Sequence, residues 1–155
     1  MKFTCTKENI NKILGLISPL ASKQGHLPIL MNILIVAQES KVELIATNLE
    51  IAIKTNLRAK IEKTGSFTVP AKTLSDYINL LSDGQIDISL EENELIIKSG
   101  SSSTKIKGMP ADEFPVVTEV EEKNVYTISA EKFKNALAKT VIAASKNEIR
   151  PELSG

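Results

Sequence analysis

FTCTKENINKILGLISPLASKQGHLPIL, residues 3–30, returns as YTISAEKFKNALAKTVIAASKNEIRPEL, residues 126–153, and the two align without a gap. Thr4 falls on Thr127, Glu8 on Glu131, Leu14 on Leu137, and Ala21-Ser22-Lys23 on Ala144-Ser145-Lys146; Pro28 then meets Pro151, and Leu30 meets Leu153. Self-similarity at a fixed spacing means that one supersecondary unit is built twice. The spacing here is about one ordinary domain long. The chain therefore reads as a complete domain over 1–117, a linker over 118–124 and the opening of a second copy over 125–155, and is expected to be a truncated piece of something longer. A fainter echo lies inside the first copy, where Phe3-Thr4 returns as Phe67-Thr68, Ile10 as Leu74, Ile13-Leu14 as Tyr77-Ile78 and Leu16-Ile17 as Leu80-Leu81. Each domain is then two strand-helix-strands halves, related by an approximate twofold.

Working outward, Lys2–Thr6 alternates in polarity and is a strand, with Thr6 placed to cap the helix that follows. Ile10, Ile13, Leu14 and Ile17 form the buried stripe of that helix, and Pro19 predicts its end or a kink near Ile17–Ser18. Strands follow over Asn32–Ala37, Lys41–Thr47, Glu50–Leu57 and Ala59–Lys63. The second half repeats the plan: a strand over Ser66–Val69, a helix opened by Pro70 with Leu74, Tyr77, Ile78 and Leu81 inward, then strands over Gln85–Leu90, Glu94–Ser99 and Ser103–Lys107. The proline-bearing run Gly108–Pro115 is expected to leave the domain as a loop. Val125–Ser129 is the strand of the next copy, and Phe133, Leu137 and Val141 lie on the inner face of its helix. This is an α+β pattern, with helices on one face of antiparallel sheets.

Lys+Arg and Asp+Glu both number 19, so any attraction to a polyanion comes from local patches rather than bulk charge. A single Cys (Cys5) and a single His (His26) exclude a disulfide framework and a Cys/His zinc cluster from this chain alone, and no metal or cofactor is expected. No apolar run approaches the ~18 residues of a membrane span, so a cytoplasmic protein with no membrane partner is expected. Cys5 sits mid-strand and reads as packing, and His26 is a lone loop side chain, so the inventory offers no nucleophile and base for an enzyme. The polar helix faces are more informative. Lys7, Asn11 and Lys12 on the first helix, Lys72, Ser75 and Asn79 on the second, and Lys132, Asn135 and Lys139 on the third place lysine repeatedly on equivalent surfaces. Lysines on one common surface add into a track for phosphates. The loops Lys23–His26 and Lys146–Arg150 extend it.

Met1-Lys2-Phe3-Thr4, Leu27-Pro28-Ile29-Leu30, Thr47-Asn48-Leu49-Glu50, Val69-Pro70-Ala71 and Met109-Pro110-Ala111-Asp112-Glu113-Phe114-Pro115, in this order and spacing, resemble the bacterial DNA polymerase III beta subunit family, the sliding clamps. The resemblance covers essentially the whole chain. It implies the DNA clamp fold in a protein of roughly three similar domains, and a ring closed head to tail by two subunits around double-stranded DNA. It implies a non-catalytic processivity subunit of a DNA-directed DNA polymerase holoenzyme, with DNA-contacting residues among Lys23, Gln24, His26, Lys146 and Arg150, beside the helix-face lysines Lys12, Lys72 and Lys139 read above. It implies a homodimer junction at the strand Ser103–Lys107, with Thr104 and Ile106 presented to the partner and Thr73 and Tyr77 in support; the alternative places Ile106 in the domain's own core. Polymerase III alpha subunit and clamp loader are implied partners, through a pocket that this chain does not contain. Two other readings stand beside it: a small enzyme, for which no convergent set exists, and an interaction domain that uses an exposed sheet edge without DNA.

Overall fold

A computed structural model of the chain describes residues 1–21, 27–118 and 125–144. Contacts divide the chain into two units, Met1–Thr118 and Glu119–Gly155.

In the first unit, β1 (Lys2–Thr6) leads into α1 (Lys7–Ala21), whose first turn is closed by Thr6: its Oγ1 accepts from the Asn9 amide at 3.3 Å. A 3-10 turn at Pro28–Met31 precedes β2 (Asn32–Ala37), β3 (Val42–Thr47), β4 (Ala52–Leu57) and β5 (Ala59–Lys63). The second half runs β6 (Gly65–Pro70), α2 (Ala71–Leu80), β7 (Gln85–Glu91), β8 (Glu94–Ser99) and β9 (Ser102–Lys107). Two antiparallel sheets result, β5-β1-β7-β8-β9 and β4-β3-β2-β6. The first strand of each half lies in the sheet of the other half. Phe3 pairs with Ile88, and Phe67 with Ile35, so each half donates one strand across the approximate twofold.

The main core fills the space between the helices and the inner sheet faces. Alternation puts Phe3, Ile33, Ile35, Leu44, Ile86, Ile88 and Leu95 inward, and α1 and α2 meet them with Ile10, Leu14, Ile17, Leu74 and Ile78. Each such side chain, fully buried, contributes about 1.5–3 kcal/mol. The helix-period stripes are those the sequence implied. Pro19, however, does not end α1, which continues to Ala21. The carbonyl that a mid-helix proline crowds and leaves without a donor belongs here to Gly15, beside which even an added Cβ would meet nothing within 4 Å.

A second, smaller cluster corrects the expectation that Gly108–Pro115 simply departs. Thr68 and Met109 exchange two backbone hydrogen bonds of 3.1 Å, so that Met109 holds against β6 the place that β5 holds against β1. Phe114 then packs on the outer face of the second sheet with Ile29, Leu30 and Ile45. Glu43 is buried on that same face, with Lys41 Nζ at 2.8 Å and Lys54 Nζ at 3.5 Å from its carboxylate. The hydrogen bond from Lys41, and then the nearby Lys54 charge, hold this carboxyl below its ordinary range. Between β3 and β4, Asn48 Oδ1 accepts from the amides of Glu50 and Ile51 at 3.1 and 2.8 Å, and Thr47 Oγ1 accepts from Leu49 at 3.0 Å. This network holds Leu49 at φ 75°, and the strand expected over Glu50–Leu57 begins at Ala52 instead.

In the second unit, α3 (Ala130–Thr140) is capped by Ser129, whose Oγ accepts from the Lys132 amide at 3.5 Å, and a 3-10 turn follows at Val141–Ala143. Val125–Ser129 is not a strand among the described residues. A strand needs a ladder partner, and none is paired with it there.

Candidate nucleic-acid interface

α1 and α2 pack against each other, and their apolar stripes are turned toward the sheets. Their outer faces therefore adjoin. Lys12 on α1 and Lys72 on α2 are exposed there, as are Asp76 and Asn79, while Asn11 and Ser75 are half-buried. Lys7, expected on the same surface, is withdrawn from it: its Nζ donates to the Leu81 carbonyl, with Asp83 at 3.5 Å, and its side chain is only 16% exposed. That bond ties the start of α1 to the end of α2. Lys139 on α3 is exposed within the second unit. Lys23, Gln24, His26, Lys146 and Arg150 lie outside the described residues, so the loop part of the expected track has no geometry here.

Sequence reasoning missed two features of this surface. Leu16 and Leu80 are 61% and 84% exposed on α1 and α2, at positions equivalent under the internal echo. Both fall outside the buried stripe, and that mismatch was available in the sequence. Ser18 was missed as well: its hydroxyl is buried with no hydrogen-bond partner among the described residues, in the groove between the helices that Gly15, Pro19, Ser75 and Asp76 also line.

Of the residues expected at a subunit junction, Thr73 is exposed, and Tyr77 and Thr104 are half-buried. Ile106 is not presented outward. It is 5% exposed and packs in the unit's own core opposite Leu95, because Thr104 and Ile106 share the inward face of β9 while Ser103, Lys105 and Lys107 take the outer one. What β9 does offer is its backbone, since among the described residues it pairs only with β8 and forms an edge of its sheet. β4 is likewise an edge of the other sheet.

Among the described residues, nothing in this surface is built for covalent chemistry. Cys5 is buried, and burial, with Asp87 nearby, pushes its thiol up to about 12, leaving it un-ionised at neutral pH. Among the described residues no group of three or more His, Cys, Asp or Glu converges as a metal site. None of the described helices is long and apolar enough to cross a membrane.

Two halves that exchange strands, two helices side by side over the inner sheet faces and lysines on the adjoining outer helix faces define the class of DNA clamp domains. The chain belongs to the DNA polymerase III beta subunit family, whose N-terminal domain matches residues 1–118. It is 31% identical to the beta sliding clamp of Synechococcus elongatus over 159 residues and 29% identical to that of Bacillus subtilis over 164, covering all of this chain and 42% and 43% of those proteins. The crystal structure of the DNA polymerase III subunit beta from Pseudomonas aeruginosa superposes with a TM-score of 0.91 at 30% identity, over 100% of this chain and 43% of that one. The chain thus spans less than half the length of these relatives.

Proposed function

We infer that this chain is part of a sliding clamp, a non-catalytic processivity factor that encircles double-stranded DNA and tethers the replicative polymerase. The observation that supports the reading is that α1 packs against α2 with their apolar stripes toward the sheets, while Lys12 and Lys72 stay exposed on the two helices. Phosphate contacts from such a surface are independent of sequence and weaken as salt rises. Lys23, Gln24, His26, Lys139, Lys146 and Arg150 are the further DNA contacts that this reading assigns. Hydrophobic burial in the sheets keeps the surface rigid, so the duplex meets fixed cations rather than a flexible tail.

Closure into a ring uses the free edge of β9 against a second copy, head to tail, with Thr73, Tyr77 and Thr104 beside it. Ile106 supports that edge from inside the core. An unpaired edge of six residues is a liability in a monomer and an adhesive in an assembly. The polymerase III alpha subunit and the clamp loader engage parts of the protein outside this chain, in the cytoplasm.

The test is topological. The protein carrying this chain, loaded with clamp loader and ATP, is expected to stay on nicked circular duplex and to slide off once the circle is linearised. Equal retention on both forms, or on neither, overturns the reading. Either result favours an interaction domain that uses the β9 edge without DNA.

A further inference from the structure

We propose that the first unit carries a docking pocket for a short acidic, apolar peptide segment of a partner protein, set between the end of α1, the start of α2 and the end of β9. The proposal does not depend on DNA encirclement. The depression has a volume of about 350 Å³, within the range of small-ligand sites. Pro28, Met31, Pro70 and Met109 line it, and Lys72 and Lys107 contribute the charge. No acidic residue lines it among the described residues.

Three observations select the occupant. Pro28 and Pro70 have no backbone N–H, so this part of the lining presents apolar surface and few donors. Met31 is 44% exposed, and two methionines give a surface that adapts to different apolar side chains. Lys72 and Lys107 have no ion-pair partner among the described residues; Glu94, the acid opposite Lys107 across the strands, is engaged by Lys105 at 3.5 Å. An apolar recess with two free cations and no anion is complementary to a leucine-like side chain flanked by carboxylates. Lys72 borders both this recess and the outer helix surface assigned to DNA, so the recess itself is selected by Lys107 with the methionines and prolines, which a DNA backbone would leave unmatched; a peptide is favoured over a duplex there.

The chain's three methionines supply the measurement. Met31 and Met109 line the pocket, while Met1 is buried elsewhere, beside Gly65. With methyl-labelled methionine in the 155-residue chain, titration with acetyl-Glu-Leu-Leu-Glu-amide is expected to shift the Met31 and Met109 methyl resonances saturably and to leave Met1 in place. The Gln-for-Glu peptide is expected to bind about tenfold more weakly, and Lys107→Glu to weaken the acidic peptide by about tenfold or more, the scale of a lost charge-assisted contact. An unmoved Met1 methyl reports that the variant is folded. Three results overturn the proposal: no shift at Met31 and Met109, equal binding of the neutral peptide, or displacement of the acidic peptide by a short DNA duplex that moves the same two methyls. The last would assign the pocket to the DNA surface.

Discussion

Gly108 lies where the chain leaves β9 and reaches β6, and a Cβ there would fall 1.9 Å from the Thr68 carbonyl oxygen and 2.5 Å from the Phe67 ring. Backbone and a fully packed aromatic cannot both give way. Gly108→Ala is expected to cost about 3 kcal/mol or more, read from the urea midpoint, with loss of protection at the Met109 amide that bonds Thr68. Glu43 gives a prediction with a pH sign. Its carboxyl is held below the ordinary range by Lys41, so its contribution is complete above the unfolded value of about 4.3 and is lost as pH falls through the lower folded value. Glu43→Gln is therefore expected to destabilise by about 1 kcal/mol at pH 7, an intermediate figure because both lysines remain partly solvated. The gap between the two proteins should close as urea melts are repeated from pH 5 toward about pH 3. Neither role was legible in the sequence: Gly108 is constrained by residues about 40 positions away, and Glu43 read as an ordinary strand charge.

At the scale of elements, periodicity carried nearly everything. The stripes Ile10, Ile13, Leu14, Ile17 and Leu74, Ile78 lie inward as their spacing implied, and Thr6 caps α1 as its chemistry implied. Thr6→Ala is expected to cost about 1 kcal/mol, visible as a lower melting temperature and faster exchange at the Asn9 amide. The departures share one cause, which is that local rules were overruled by what lay across the structure. Pro19 was accommodated by the glycine one turn earlier. Met109 and Phe114 were drawn back by an edge and an apolar face that no local window contains. Val125–Ser129 has the composition of a strand and, among the described residues, no neighbour pairs with it to make one. Leu49, at φ 75°, reports strain absorbed by the Thr47 and Asn48 side chains. Leu49→Gly is expected to be neutral or stabilising by a few tenths of a kcal/mol in urea, since glycine adopts that conformation freely.

For the whole molecule, the exchange of β1 and β6 makes each half incomplete without the other. Peptides 1–64 and 65–118 are each expected to be unfolded alone by circular dichroism and to regain structure when mixed. A folded 1–64 would show that the first half closes its own core. The internal echo made the two halves legible, because the apolar pattern survives where identities do not. It could not reveal that the first strands trade places, since a repeat in sequence is silent on which copy a strand joins. The candidate interface was legible to the same degree. Lysine on equivalent helix positions could be seen, whereas the diversion of Lys7 to the Leu81 carbonyl depends on where one helix ends beside another.

That traded strand also sets a clock during synthesis. Thr4 donates to Asp87 at 2.6 Å, so the N-terminal strand meets its neighbour only after a further 83 residues have been made. At ~5–20 residues per second this is a wait of roughly 4–17 s. Until then Phe3 and Cys5 have only β5 beside them, and their apolar side stays open to the ribosome surface, to chaperones and to other nascent chains. A translational pause before β7 has emerged from the ribosome lengthens that exposure. The pace at which the ribosome crosses the middle of the unit is therefore part of what decides whether newborn chains fold or clump.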